Sequence, residues 1–156
     1  MKTKSITYAL VVLGGIFPSL SAAESTDTVA VEAALQAYED ALNSNDAAAV
    51  AATFTDDGVW MPQHSMPVEG KDAILGAFTY FFDNFNIDAE LTVDEVVQMG
   101  SDWAFIRSKG VATLTHLESG AEVPASNQEI FLFQRLDEDD WKLARYIFTT
   151  TQPMQQ

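Results

Sequence analysis

Few residue types in this chain could do chemistry, and they are scattered along it. The chain has no cysteine and two histidines, His64 and His116. Thiol catalysis, disulfide bonds, thiolate metal sites and a zinc site with three histidines are therefore excluded. His64 follows Pro62 in a polar loop, and imidazole is the side chain best suited to general base catalysis near neutral pH. The alternative for His64 is an exposed loop residue without a catalytic role.

The other isolated polar residues have structural explanations that compete with chemical ones. His116 falls where a predicted strand ends in a hairpin, so a solvated position at the sheet edge is expected. Asp56 and Asp57 could form a catalytic or metal-binding pair. They also lie in a predicted turn after a helix, where aspartate is common because its carboxylate bonds to the backbone. We predict no metal site and no bound cofactor.

Tyr38 and Glu129 are predicted to be polar groups in the interior. Tyr38 lies on the apolar face of a predicted helix, and Glu129 lies in a predicted strand between Gln128 and Ile130. If Glu129 faces the interior, loss of hydration raises the pKa of its carboxyl group and favours the neutral acid. That acid could donate a hydrogen bond to a ligand oxygen. A structural bond between Glu129 and Tyr38, or an ion pair of Glu129 with an arginine, are the alternatives.

The elements that must position these residues change from helices to strands along the chain. Apolar spacings of three and four residues predict helices at about 29–42, 47–54 and 71–85. Strands are predicted at about 59–61, 87–99, 102–116, 121–135 and 141–151, with turn residues between the last four. This order predicts an α+β fold in which three N-terminal helices pack in the concave face of a curved, mainly antiparallel sheet. Such a cone would have an apolar cavity at its open end.

The amino-terminal 23 residues have the layout of a secretory signal peptide. Lys2 and Lys4 precede an apolar run at residues 8–17, and Ser21-Ala22-Ala23 provides the small residues of a cleavage site. The run is too short for the roughly 20 residues of a spanning helix. We therefore predict a signal peptide at 1–23, a flexible lead-in at 24–28 and a single domain at 29–151. The mature protein is expected to be secreted or periplasmic, and not bound to the membrane.

The charge balance excludes several classes of partner. Eight Lys and Arg residues against 23 Asp and Glu residues give a formal net charge of −15 and an isoelectric point near 4.1. A nucleic-acid-binding protein needs a basic surface, and an anionic membrane surface attracts basic segments. Neither nucleic acid nor an anionic lipid surface is therefore an expected partner.

Five segments together resemble one family of small α+β domains. They are LQAYEDALNSND at 35–46, FTDDG at 54–58, VEGKDAI at 68–74, FLFQR at 131–135 and WKLARY at 141–146. These segments are similar to SnoaL-like and ketosteroid-isomerase-like domains of the nuclear transport factor 2-like superfamily, and the resemblance covers nearly all of residues 29–150. It implies the cone fold described above, but this fold hosts isomerases, cyclases, dehydratases, binding modules and oligomerisation domains.

The resemblance also assigns provisional roles to individual residues. Ketosteroid isomerase chemistry needs a carboxylate base, together with a tyrosine and a neutral carboxylic acid that hold the enolate oxygen. The family's tyrosine falls on Tyr38, and its acid donor falls on Glu129, ahead of Phe131-Leu132-Phe133. The family's general base falls on Pro62, which cannot accept a proton. If the chain is an enzyme of this type, His64 or an unrecognised group must supply the base.

Alternation along the strands and the family pattern predict which side chains line the cavity. If Glu129 faces inward, Ala104, Ile106 and Ser108 of a neighbouring strand are also predicted to do so. The predicted ligand-binding residues are mostly aromatic: Phe54, Trp60, Phe78, Phe82, Ile106, Phe131, Phe133, Tyr146 and Phe148. Such a lining is typical of sites for small molecules. The alternative is that these side chains simply fill the cone.

The outward side chains suggest a homodimer. Trp103, Phe105 and Arg107 are predicted on the outer face of the sheet, with Arg145 beside them. Exposed apolar patches usually mark an interface, and the resemblance also implies dimers formed through the sheet.

Three functions remain open from the sequence. The first is an exported domain that binds a small apolar or carbonyl-containing molecule. The second is an isomerase, cyclase or dehydratase that uses Tyr38 and Glu129. The third is a dimerisation module without a cavity.

Overall fold

The structure is a computed structural model that describes residues 26–137 and 140–153. The helices are α1 (Thr26–Asn43), α2 (Ala47–Ala52) and α3 (Lys71–Phe82). The strands are β1 (Phe54–Met61), β2 (Val68–Glu69), β3 (Phe85–Gln98), β4 (Trp103–His116), β5 (Glu122–Asp137) and β6 (Asp140–Thr150). The predicted signal peptide, at residues 1–23, lies outside the described residues.

One six-stranded sheet carries the helices, and its strand order is β2-β1-β6-β5-β4-β3. The four long strands form the predicted antiparallel meander. β1 pairs in parallel with β6, which the sequence analysis did not predict, and β2 adds a short antiparallel edge. The α+β class and the packing of the N-terminal helices on one face of a curved sheet are confirmed. Within the described residues, no helix has both the length and the apolar character needed to cross a membrane.

α1 begins at Thr26, three residues before its predicted start, because Asp27 anchors its first turn. Asp27 accepts a hydrogen bond from Gln98 Nε2 at 2.6 Å and forms an ion pair with Arg135 at 2.5 Å. A carboxylate in the first turn also interacts favourably with the unpaired N–H groups of a helix. Residues 26–28 are therefore helical, whereas they were predicted to belong to a flexible lead-in. α2 begins as predicted after Asp46, whose carboxylate accepts from the N–H groups of Ala48 and Ala49.

The predicted turn at 55–58 is instead an irregular part of β1. Phe54 pairs with Leu143, and Val59 pairs with Arg145. Between these two pairs β1 advances five residues, whereas β6 advances two. The register shift bends the strand without ending it. A Cβ atom on Gly58 would lie 3.0 Å from the Phe54 ring, so glycine allows this close approach. Thr55 donates to Asp57 within the bend, which gives this aspartate a structural partner.

The core lies between the helices and the concave face of the sheet. On β4, Ala104, Ile106 and Ser108 are at most 1% exposed, whereas Trp103 and Phe105 are half-buried on the other face. This alternation confirms the predicted orientation of β4. The closed end of the cone is filled by side chains from all layers, with Leu35, Tyr38, Phe54, Ile106, Phe131, Phe133 and Leu143 among the most deeply buried.

A buried glutamate at the floor of an apolar cavity

A cavity of about 240 Å³ opens between the helices and the concave face of the sheet. Small residues at adjacent positions of three strands create this space. Ala89 of β3 pairs with Ala112 of β4, which pairs with Ala125 of β5, and all three line the cavity. The apolar side chains around them are Leu42, Trp60, Phe78, Phe81, Ile87, Leu91, Val111, Leu114 and Phe148. Most of the cavity wall is therefore apolar.

Glu129 lies at the floor of this cavity and is the one carboxylate among the described residues that line it. Its side chain is 4% exposed. Oε2 accepts a hydrogen bond from Ser108 Oγ at 3.0 Å, and Oε1 accepts one from the Tyr146 hydroxyl at 2.9 Å. Ser108 is the residue opposite Glu129 in the β4–β5 pairing, so strand register brings the two side chains together. Each carboxyl oxygen thus has one donor and retains capacity for a ligand.

Gly110 provides the room that the Glu129 carboxyl group occupies. A Cβ atom on this residue would lie 2.7 Å from Glu129 Oε1 and 3.1 Å from its Cδ. Distances this short are steric clashes. A glycine inside a long strand often marks such a close approach. Gly110 is therefore a positioning residue for the glutamate.

Two buried tyrosines lie beside Glu129 and extend into the core. Tyr38 is 1% exposed and Tyr146 is 4% exposed, and their rings meet edge-on with centroids 5.5 Å apart. The Tyr146 ring stacks on Phe131 with centroids 4.2 Å apart, which fixes its position. Hydrogen bonds join Tyr146, Glu129 and Ser108 in one chain, and Tyr38 packs against this chain through the Tyr146 ring.

Burial determines the ionisation of this chain. Desolvation raises the pKa of Glu129, while the hydrogen bonds from Tyr146 and Ser108 oppose that rise. Desolvation, followed by nearby negative charge, raises the pKa of both tyrosines well above the ordinary value, so both hydroxyls remain neutral donors. No Lys, Arg or His side chain lines the described cavity. The neutral form of Glu129 is therefore favoured more than in water.

The predicted cavity residues divide into two groups. Trp60, Phe78, Tyr146 and Phe148 line the cavity together with Tyr38 and Glu129. The remaining predicted residues do not line it: Phe54, Ile106, Phe131 and Phe133 are at most 1% exposed in the core, and Phe82 packs against Phe78. The reason is depth along the strands. Phe131 and Phe133 face the same side as Glu129, but each pair of residues moves about 7 Å along β5 towards the closed end.

The polar residues outside the cavity have other partners or surroundings. His64 is exposed in the loop after β1, has a φ angle of 60°, and does not line the cavity. His116 packs edge-on against Phe85, with ring centroids 5.1 Å apart, and its Nδ1 accepts from Ser119 N. Asp57 pairs with Arg145 at 3.4 Å, and Asp56 lies 3.6 Å from Lys71. In residues 26–137 and 140–153, no three His, Asp or Glu side chains are grouped so as to hold a metal ion.

Besides the apolar residues of the wall, sequence reasoning missed the roles of four residues around Glu129 and at its end of the sheet. Ser108 was predicted to face inward, but its bond to Glu129 follows from a register that the sequence did not reveal. Gly110 and Asn127 lie two residues from Ser108 and Glu129, so the same alternation could have placed them in the cavity. Gln63 comes from the loop after β1, where no alternation applies.

The chain is similar to a known family over most of its length. The family model for the SnoaL-like domain matches residues 35–146. A crystal structure of a ketosteroid isomerase-like protein from Erwinia carotovora atroseptica SCRI1043 is 36% identical, with a TM-score of 0.77, over 83% of this chain and 100% of that one. A proposed dehydratase of the nuclear transport factor 2-like family from Streptomyces avermitilis is 17% identical, with a TM-score of 0.74, over 83% of this chain and 100% of that one. That second likeness concerns the fold alone. No curated protein matches the chain.

Proposed function

We propose that this chain, which belongs to the SnoaL-like domain family, binds a small, mainly apolar cyclic molecule through a carbonyl or hydroxyl oxygen. The observation that carries the proposal is Glu129, a 4% exposed carboxyl group at the floor of an apolar cavity, with no ion-pair partner among the described residues. Burial of such a group costs free energy, so it is retained where it has a task. A neutral carboxylic acid in an apolar enclosure is a strong donor to a ligand oxygen, and the hydroxyl groups of Tyr146 and Ser108 hold its orientation.

The volume of the cavity limits the size of the ligand. An apolar cavity of about 150 Å³ holds one benzene molecule, and sites for drug-sized ligands occupy about 300–1,000 Å³. The cavity here measures about 240 Å³, which suits one ring or two fused rings. It would not enclose the four fused rings of a steroid. The same open volume favours a binding function over a dimerisation module without a cavity.

Isothermal titration calorimetry with 2-naphthol tests the proposal. A ligand of this size with one hydrogen bond is expected to bind with a Kd on the order of 100 µM. Ala112→Phe fills the wall between Ala89 and Ala125, and it should weaken binding at least tenfold. Gln128→Phe places the same side chain on the exposed outer face of β5 and should leave binding unchanged. Equal affinity of the two variants, or no binding to the wild-type protein, would contradict the proposal.

A proton-transfer enzyme of the isomerase or dehydratase type is the second candidate. The hydrogen bonds of Glu129 with Tyr146 and Ser108 favour it, because a carboxyl group with a raised pKa keeps its proton to a higher pH than a solvated one and can donate it in general acid catalysis. Pro62 stands where the resemblance places the general base, and His64 does not line the cavity. Glu129 would therefore have to take and return the proton alone.

Conversion of 3-cyclohexenone to 2-cyclohexenone, followed by ultraviolet absorbance, separates the two candidates. This substrate is small enough for the cavity and needs only a proton shift next to its carbonyl group. If the protein only binds the substrate and has no general base besides Glu129, the rate should be near that of the uncatalysed reaction. Turnover that Glu129→Gln abolishes would establish the enzyme instead, and His64→Ala would then show whether the loop histidine takes part.

We propose in addition that the protein acts outside the cytoplasm as a homodimer. The layout of residues 1–23 supports export. The outer face of the sheet supports dimerisation, because half-buried Phe105 lies between Val97 of β3 and Leu132 of β5, and Val97 is 40% exposed. Neighbouring arginines offset acidic charge on this face, since Arg107 pairs with Asp94 and Glu95.

A further inference from the structure

Asn127 is a polar side chain in the cavity wall that has no hydrogen-bond partner among the described residues. It lies two residues before Glu129 on the same face of β5 and lines the cavity. It is half-buried, and its amide forms no hydrogen bond with another residue of the described chain. An amide in an apolar wall loses hydration without compensation unless a ligand or water satisfies it. Asn127 therefore presents both a donor and an acceptor to whatever occupies the cavity.

Gln63 reaches the same level of the cavity from the other side. Thr150 is the residue opposite Asn127 in the β5–β6 pairing, and its backbone N–H donates to Gln63 Oε1 at 2.6 Å. This bond uses the oxygen of Gln63. Its amide NH₂ group forms no hydrogen bond with a described residue. Asn127 and Gln63 thus flank Thr150 and line the cavity on either side of it.

We infer that Asn127 and Gln63 form a second polar subsite, which binds a polar group at the opposite end of the ligand from the one that Glu129 binds. The inference deepens the proposed function and rests on it. Two residues along a strand span about 7 Å, a separation similar to that between substituents at opposite ends of one or two fused rings. Phe148 stands opposite Glu129 on β6 and lines the cavity beside it, where the apolar body of the ligand would pack against its ring.

The chemistry of the subsite indicates a neutral outer group. An amide donates to hydroxyl, carbonyl and amide oxygens, and it accepts from hydroxyl and amide N–H groups. A carboxylate or phosphate would need a cation, and the described lining of the cavity contains none. The net charge of −15 also opposes entry of an anion. The ligand class is therefore a cyclic diol, hydroxyketone or diketone with oxygens at both ends.

Paired naphthols test the subsite by calorimetry. The wild-type protein is expected to bind 2,6-dihydroxynaphthalene about fivefold or more tightly than 2-naphthol, since one hydrogen bond is added. Asn127→Leu should abolish this preference. Gln128→Leu, the matched change at the next residue on the outer face, should keep the preference. Asn127→Ala replaces Asn127→Leu if the larger side chain disturbs folding.

The outcomes separate this inference from the proposed function. Equal affinity of the two naphthols for the wild-type protein, or a preference that survives in both Asn127 variants, would overturn the subsite and leave the proposed function standing. Absence of binding by both naphthols would overturn both proposals. Tighter binding of 6-hydroxy-2-naphthoate than of the diol would contradict the neutral outer group.

Discussion

Gly110→Ala tests whether the geometry around Glu129 is as tight as the structure shows. The new Cβ atom would meet Glu129 Oε1 at 2.7 Å and Oε2 at 3.2 Å. The Glu129 carboxyl group would have to move away from β4. This strand carries both Gly110 and Ser108, and Ser108 is the hydrogen-bond partner of that carboxyl group. It has space to do so, because the cavity lies beside it. The main expected consequence is loss of the bond to Ser108.

The magnitude follows from two opposing effects. A buried donor that loses its partner costs about 1–3 kcal/mol. Replacement of glycine by alanine in a strand returns about 0.5–1 kcal/mol, because the unfolded chain loses conformational freedom. We therefore expect Gly110→Ala to lower the free energy of unfolding by about 1 kcal/mol, and by about 2.5 kcal/mol at most. Denaturation in urea, followed by circular dichroism, measures this change.

Two control variants make the result specific. Gly76 lies in α3 with no atom within 4 Å of its added Cβ, so Gly76→Ala should stabilise the protein by about 0.5–1 kcal/mol. In a Glu129→Ala background the clash disappears, and Gly110→Ala should no longer destabilise. If Gly110→Ala stabilises the wild-type protein as much as Gly76→Ala does, the close approach of Gly110 and Glu129 is wrong.

The remaining predictions concern ionisation, the tyrosine contact, assembly and processing. Because the folded pKa of Glu129 is raised, its stabilising contribution is complete below the unfolded pKa and is lost as the pH rises through the folded pKa. The melting temperature of Glu129→Gln minus that of the wild type should therefore increase over this pH range and stay constant at higher pH. A difference that is the same at every pH would argue against a raised pKa. Tyr146→Phe removes a hydrogen bond that lowers the pKa of Glu129, so ¹³C NMR of the carboxyl group should show a further rise, and a fall would contradict the bond. Trp103→Arg should convert a dimer to a monomer in sedimentation velocity without loss of circular dichroism, and a wild-type monomer at tens of micromolar, roughly the range for a specific interface, would refute this. Edman sequencing of exported material should begin at Glu24, and a retained Met1 would refute cleavage of the signal peptide.

Alternation along strands is the part of the site that the sequence could predict. Glu129 faces inward because it shares its side of β5 with Phe131 and Phe133, and the burial of Ala104 and Ile106 on β4 follows the same rule. Alternation does not report depth, however. It could not separate Phe131 and Phe133, which fill the closed end, from Glu129, which meets the cavity.

Register and long-range pairing are the parts that the sequence could not predict. The bond from Ser108 to Glu129 depends on which residues of β4 and β5 stand opposite each other, and the hairpin between them leaves this open. The parallel pairing of β1 with β6 joins segments about 85 residues apart. The Asp-rich segment at 55–58 has the composition of a turn, but pairing with β6 holds it in a strand with a register shift.

A crystal structure of the protein with bound 2-naphthol tests the central claim most directly, because it locates the ligand oxygen relative to Glu129. We expect the two rings in the cavity lined by Trp60, Phe78 and Phe148, with the naphthol oxygen within hydrogen-bond distance of a Glu129 carboxyl oxygen. Naphthol bound at another surface, or a cavity closed by the surrounding aromatic side chains, would contradict it.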